Sequence, residues 1–290
     1  METGRVEVAG PLDLRRTLAS ALGHLRPDGF WKVMRTPEGP ASLHLRRRQA
    51  TVEFRAFGPG ATWAAAAVPE LVGAHDDTNS FTTDHPLIAE LARRHPGWRM
   101  GRTRLVFEAL LVAIVAQKVT GKEAARGYRG LQRRFSEPAP GPEPLLLPPD
   151  PVKLTEAPYY DLHPLGIEQR RADTIRRAAR LHQHLQDLAL QPSAVARSQL
   201  QLIPGVGEWT SAEVVTVSHG DPDAVSVGDF HLKNEVVFHL TGRPRGTDAE
   251  MLELLEPFRP HRGRVVRLLS TLGHAPAFGP RLPIRDMTGI

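Results

Sequence analysis

The chain has 290 residues, 41% of them hydrophobic, a net charge of +5 and no cysteine. The length allows one large domain or two ordinary ones, and the apolar share is enough for a core. Without cysteine there is no disulfide, no thiolate nucleophile, no cysteine-ligated zinc and no iron–sulfur cluster.

Only Lys32, Lys118, Lys122, Lys153 and Lys233 are lysines, so the positive charge is almost all arginine. Arginine grips phosphate in a bidentate fork, which makes a polyanionic partner a natural question. The opening "METGRVEVAG" lacks the basic start and apolar core of a signal peptide. The longest apolar run, "ALLVAIVA", is too short to cross a bilayer. A cytoplasmic, monomeric protein with no membrane association is expected.

In chain order, "RVEVAG" alternates like a strand and "LDLRRTLASALGHL" has helical spacing. "FWKVMRT", "ASLHLRRR" and "TVEFRAFG" alternate apolar and polar residues between turn signals, and predict three more strands. "ATWAAAAVPELVG" reads as a helix. The order predicts an N-terminal α+β domain, residues 1–80, with an antiparallel sheet and two helices. The polar stretch "AHDDTNSFTTDHP" links this domain to the remainder of the chain.

Residues 81–290 predict a mostly α-helical domain. "HPLIAELARRH" and "RLVFEALLVAIVAQKVTGKEAARGYRGLQRRF" carry apolar residues at three- and four-residue spacing. "EPAPGPEPLLLPPDP" is proline-rich and predicts a loop. "IEQRRADTIRRAARLHQHLQ" reads as one arginine-laced amphipathic helix. "SAVARSQLQLI" reads as a short one, with Ser193 as its N-cap. "DFHLKNEVVFHLTG" and "MLELLEPFRPHRGRVVRLLSTLG" give two more.

The stretch "LQLIPGVGEWTSAEVV", residues 200–215, reads as helix, hairpin, helix. Gly205 and Gly207 can take backbone angles closed to other residues and let a ligand approach the backbone. Pro204 ends the first helix, and the second begins with free N–H groups, a ready anion site. A bare pair of glycines would also suit an ordinary tight turn.

"LIPGVGEWTSA" resembles the hairpin of the helix–hairpin–helix DNA glycosylases. "FEALLVAIVAQKVTGKEA", "LHPLGIEQRRADTIRRAA" and "LEPFRPHRGRVVRLL" resemble further segments of that family. With the N-terminal α+β domain, the chain is similar to the 3-methyladenine DNA glycosylase II branch. The resemblance implies DNA-phosphate contacts at the hairpin, near 202–208, through Pro204, Gly205, Val206, Gly207 and Thr210. It implies that the main-chain carbonyls of Gln201, Ile203 and Val206 hold a structural Na⁺ or K⁺, with no cofactor required. It implies a monofunctional glycosylase that flips alkylated purines, of the 3-methyladenine and 7-methylguanine type, out of damaged duplex DNA. The N-glycosidic bond is hydrolysed and an abasic site is left, as in base-excision repair. In a bacterium the enzyme would be nucleoid-associated.

The family's catalytic aspartate ends a loop behind the second helix. Here the loop is "SHGDPDAVSVGDFHL", and Asp229 stands 22 residues past Gly207. An aspartate before "FHLKNEVVFHL" is also a good helix N-cap, and the two readings are compatible. The strand-cutting members place a Schiff-base lysine two residues after the second hairpin glycine, where this chain has Trp209. No AP-lyase activity is therefore expected. Trp209, Gln117, Lys118, Glu213 and Leu269 take the positions of the base pocket and duplex wedge. Arg170 and Arg171 are candidate phosphate contacts. Asp221 and Asp223 read as solvated turn residues. Lys118 and Glu213 depart from the family pattern. That leaves two alternatives: a DNA-binding protein with lost catalysis, or a glycosylase for a deaminated or bulky base.

Overall fold

The computed structural model describes residues 1–276. Five strands, β1 (Glu2–Glu7), β2 (His24–Arg26), β3 (Gly29–Thr36), β4 (Gly39–Arg48) and β5 (Thr51–Phe57), form one antiparallel sheet in the order β1-β5-β4-β3-β2. The period-two pattern places Phe30 opposite Leu45 and Met34 opposite Ala41 on one face. On that face lie the short helices α2 (Ala61–Ala66) and α3 (Val68–Leu71), sharing a core with Leu43, Val52 and Ala56. The opposite face of β3 offers Trp31 and Val33. Leu145 and Leu147 of the proline-rich loop cover them, so that loop serves as the second wall of the sheet.

The helix read over "LDLRRTLASALGHL" is shorter than its spacing suggests. It is α1 (Leu14–Thr17) and one 3-10 turn, after which the chain enters β2. Leu22 has φ +56, a left-handed conformation that no α-helix continues through.

The rest is helical: α4 (Pro86–Arg94), α5 (Val106–Val115), α6 (Gly121–Phe135), α7 (Pro151–Glu156), α8 (Tyr159–Leu162), α9 (Gln169–Arg180) and α10 (His182–Leu188). Then come α11 (Ser193–Gln201), α12 (Glu208–Ser218), α13 (Leu232–Thr241), α14 (Asp248–Leu255) and α15 (Arg262–Leu269). Helix α5 is apolar nearly all round, as a buried central helix must be, and packs against α9 and α12. Leu110, Ile114, Ile175, Leu200, Val214 and Val215 make the main core. A second helical core joins α4, α13, α14 and α15 through Ile88, Val236, Met251 and Val265.

Three long helical readings are broken in two. Lys118, at φ +54, separates α5 from α6, and Thr120 starts α6 with a capping box to Glu123. Leu181 separates α9 from α10. A 3-10 turn over Glu256–Phe258, with prolines at 257 and 260, separates α14 from α15. Ser193 lies inside α11, whose N-cap is Pro192 and has no side-chain bond.

Charged pairs tie the sheet to the helices. Lys32 on β3 meets Glu108 on α5 at 2.5 Å, both buried. Arg35 on β3 grips Glu137 through two bonds of 2.8 Å. Arg264 on α15 meets Asp76 at 2.5 Å.

Candidate active site

The hairpin between α11 and α12 is built from inside. Gly205 has φ +100, and a Cβ there would lie 2.2 Å from Thr174 Oγ1 on α9. The position requires glycine twice, for its backbone angle and for its packing. Val206 is buried and its N–H donates to Ile203 O at 2.9 Å. Gly207 differs. Its φ is −105°, open to any residue, and a Cβ would meet nothing within 4 Å. The space is on the outer side, where a ligand can reach the first turn of α12.

Gln117 and Thr210 serve the hairpin's interior. Gln117 Nε2 donates to Gly205 O and to Thr210 Oγ1, each at 2.9 Å. Thr210 is buried, so its side chain does not face a phosphate, and Gln117 staples the α5–α6 turn to the hairpin. Lys118, next to it, is exposed on its left-handed backbone. Arg177 donates to Pro204 O at 3.3 Å.

The loop from α12 to α13 brings Asp229 back toward the hairpin. Asp223 anchors this loop, accepting from Arg262 at 2.7 Å and from Arg259 at 3.3 Å, and is thus no solvated turn residue. Gly228 N–H donates to Asp248 at 3.0 Å, and Lys233 pairs with the same Asp248 at 3.6 Å. Asp229 uses its two oxygens differently. Oδ1 accepts the N–H groups of His231 at 2.8 Å and Leu232 at 2.9 Å, which ties down the start of α13. Oδ2 accepts Trp209 Nε1 at 3.0 Å, across from α12. The N-cap itself is His231, and the Asp229 carboxylate joins the backbone at that end of α13 to the indole of Trp209. Trp209 is half-buried and holds this oxygen in place, a role beyond that of a pocket wall.

Glu213, one turn beyond Trp209, accepts the Ser226 hydroxyl. Burial pushes its carboxyl above the usual range. The Ser226 bond opposes that rise, the charge of Asp229 adds to it and Arg267 opposes it. Arg267 sits beneath on α15, pushed down to about 10 chiefly by burial, and reaches Ser20 Oγ at 3.4 Å.

Two assigned residues are elsewhere. Leu269 is 1% exposed, inside the core of α4, α13, α14 and α15 rather than in a base pocket. Arg171 is buried and donates to Val115 O at 2.8 Å and Gly166 O at 2.7 Å, which removes it from the phosphate surface; Arg170 remains exposed. Two residues were missed. Phe230 is 70% exposed beside Asp229, and only its surface position marks it out. Arg267 reads in the sequence as one of many arginines.

No protein-family model matches the chain. It is 28% identical over 235 residues to a curated Mycobacterium tuberculosis protein, "Probable bifunctional transcriptional activator/DNA repair enzyme AlkA". The match covers 76% of this chain and 46% of that one, so the chain spans about half the length of the curated relatives it matches. Among solved structures, the 3-methyladenine DNA-glycosylase from Archaeoglobus fulgidus superposes with a TM-score of 0.74 at 16% identity, over 92% of this chain and 97% of that one. The Clostridium acetobutylicum 8-oxoguanine glycosylase/lyase, solved with duplex DNA, superposes with a TM-score of 0.69 at 15% identity, over 89% and 90%.

The chain shares its fold with the DNA glycosylases of solved structure and is similar in sequence to the AlkA protein named above. In this helix–hairpin–helix chain the hairpin, the loop aspartate and the N-terminal sheet are all present, and the position after the hairpin is Trp209. Among the described residues, no helix is long and apolar enough to cross a membrane.

Proposed function

We propose that the protein is a monofunctional DNA glycosylase of base-excision repair, acting as a monomer in the cytoplasm on alkylated purines in duplex DNA. The observation that carries this reading is the pairing of Trp209 Nε1 with Asp229 Oδ2, which fixes a carboxylate beside the hairpin.

The hairpin binds the duplex through the first-turn N–H groups of α12, reached over Gly207. The carbonyls of Gln201, Ile203 and Val206 would hold a monovalent cation, whose charge would favour an anion at the hairpin. The target nucleotide rotates out of the stack at a cost of a few kcal/mol, least for a damaged base. As the bond from C1′ to the base nitrogen stretches, positive charge develops on the sugar, and Asp229 stabilises it. Water adds to C1′ and the base departs. With Trp209 where a Schiff-base lysine would stand, no covalent sugar intermediate forms and the strand stays intact.

Base release from methylated duplex tests this. Free methylpurine is expected, with strand breaks only after hot alkali, and Asp229→Asn should lower both by about 10²–10³-fold. Breaks before alkali would overturn the monofunctional reading. Equal retention of damaged and undamaged duplex without release would favour a binding protein.

A further inference from the structure

Between α9 and the hairpin the chain leaves apolar side chains in water. Leu181, Leu190, Val195 and Leu202 are all exposed, Leu202 at 73%. Their spacing shows how two helices share the work. Along α10, Leu181, His184, Leu185 and Leu188 repeat at three and four residues and form one face. Leu185 and Leu188 sink into the main core, while Leu181 and His184 stay outside. Along α11, Val195, Gln199 and Leu202 repeat in the same way on the outer side, behind the buried Ala196, Leu200 and Ile203.

A groove of about 420 Å³ runs between the two helices. Leu185, Leu188 and Ile203 are its floor, and Leu181 and Leu202 its lips. Pro204 lines it as well, so the groove reaches the hairpin. Arg177 and Arg180 line this groove and also a polar hollow of about 440 Å³ between α7 and α9, so the two hollows meet at these arginines. In the polar hollow, Asp173 is taken up by Arg176 at 2.5 Å and Gln169 at 2.9 Å. Arg177 gives one hydrogen bond, to Pro204 O, out of the five N–H donors of a guanidinium. Arg180 is exposed and has no ion-pair partner among the described residues. Three arginines against Asp173 and Glu156 leave the junction net positive.

We propose that this groove docks an apolar, acidic segment of a partner protein. Its apolar side chains lie between α10 and α11, and its Asp or Glu side chains reach Arg177 and Arg180. An apolar floor edged by arginine, with no lysine in the lining, is the composition of a protein-binding surface. A duplex fits it less well: phosphates pair with the arginines but gain nothing from the leucine floor, which favours apolar side chains. A second copy also fits less well, because a two-fold pairing of the groove with itself would bring two net-positive junctions together.

The experiment selects displayed random peptides, about 16 residues or roughly four helical turns long, on the wild-type chain. The best peptide is then synthesised and its Kd read by fluorescence anisotropy. Selected sequences should carry leucine, isoleucine or phenylalanine at three- and four-residue spacing, with Asp or Glu among them. Leu181→Asp and Arg180→Glu should each weaken the peptide by at least about tenfold, the worth of one central interface contact. A peptide with its acids changed to lysine should lose the wild type and regain Arg180→Glu. Melting curves check the folding of both variants, and the exposed Arg180→Glu carries the test should Leu181→Asp unfold. Base release from methylated duplex should stay at the wild-type level in both. Selection of peptides without acidic residues, or of none that Arg180→Glu weakens, would overturn the proposal. Loss of duplex affinity in both variants, with no peptide bound, would overturn it in favour of DNA. A wild-type dimer that Leu181→Asp dissociates, read by sedimentation, would overturn it in favour of a second copy.

Discussion

Asp229 divides its oxygens between the start of α13 and the indole of Trp209. The bond to Trp209 is the one that matters for chemistry, because it fixes the free edge of the carboxylate relative to the hairpin. Trp209→Phe keeps the aromatic volume and removes the donor. A hydrogen bond to a charged group contributes about 1.5–3 kcal/mol, so single-turnover base release should fall roughly 10- to 100-fold. Release is read per folded enzyme, since losing the same bond also lowers thermal stability. Unchanged release would mean that the indole only packs. The aspartate itself was legible from the sequence, because its type and its spacing from the hairpin survive without structure. The partner of its side chain was not. Trp209 read as a pocket wall because linear spacing says nothing about which ring nitrogen faces which oxygen. Thr210 and Leu269 failed for the same reason: the resemblance marks each position, but the direction of the side chain depends on packing.

At the scale of the element, the hairpin's two glycines have different jobs. Gly205 is held at φ +100 against Thr174, so Gly205→Ala combines a left-handed backbone with a Cβ only 2.2 Å from Thr174 Oγ1. It should cost about 1–3 kcal/mol of stability, measurable by denaturant unfolding. Gly207→Ala meets open space and should leave stability within about 0.5 kcal/mol of wild type. Its effect should appear as weaker duplex binding with a shallower salt dependence, because the methyl stands where a phosphate approaches. A stability loss at Gly207, or intact binding, would contradict this division. The sequence marks the hairpin clearly and the helix breaks poorly. Apolar spacing runs unbroken through Lys118 and Leu181, while the breaks lie in single backbone angles and in the cap at Thr120.

The molecule as a whole is held across its two parts by a buried ion pair, Lys32 with Glu108, and Glu108 Oε2 has no hydrogen-bond partner among the described residues. Nothing in the spacing of residues 32 and 108 announces this pair; only the sheet packing on α5 brings them together. Lys32→Met leaves a lone buried carboxylate and should cost about 3–5 kcal/mol, whereas Lys32→Met with Glu108→Leu should recover most of it. Burial raises the Glu108 carboxyl above its ordinary value of 4.5, against the pull of Lys32. A raised carboxyl favours the folded state while protonated: that contribution is full below 4.5 and is lost as pH rises through the folded value. The cost of Lys32→Met should therefore shrink as pH falls from 8 toward 5, read by denaturant midpoints. A pH-independent cost would show that Glu108 does not carry it.

The central claim, hydrolysis driven by Asp229 beside a DNA-binding hairpin, is tested most directly by single-turnover base release from methylated duplex. Wild type and Asp229→Asn are compared at enzyme concentrations that saturate the DNA. The account predicts free methylpurine from the wild type, an intact strand until alkali, and a loss on the order of 10²–10³-fold in the variant with duplex binding retained. Release at the wild-type rate by Asp229→Asn would contradict it.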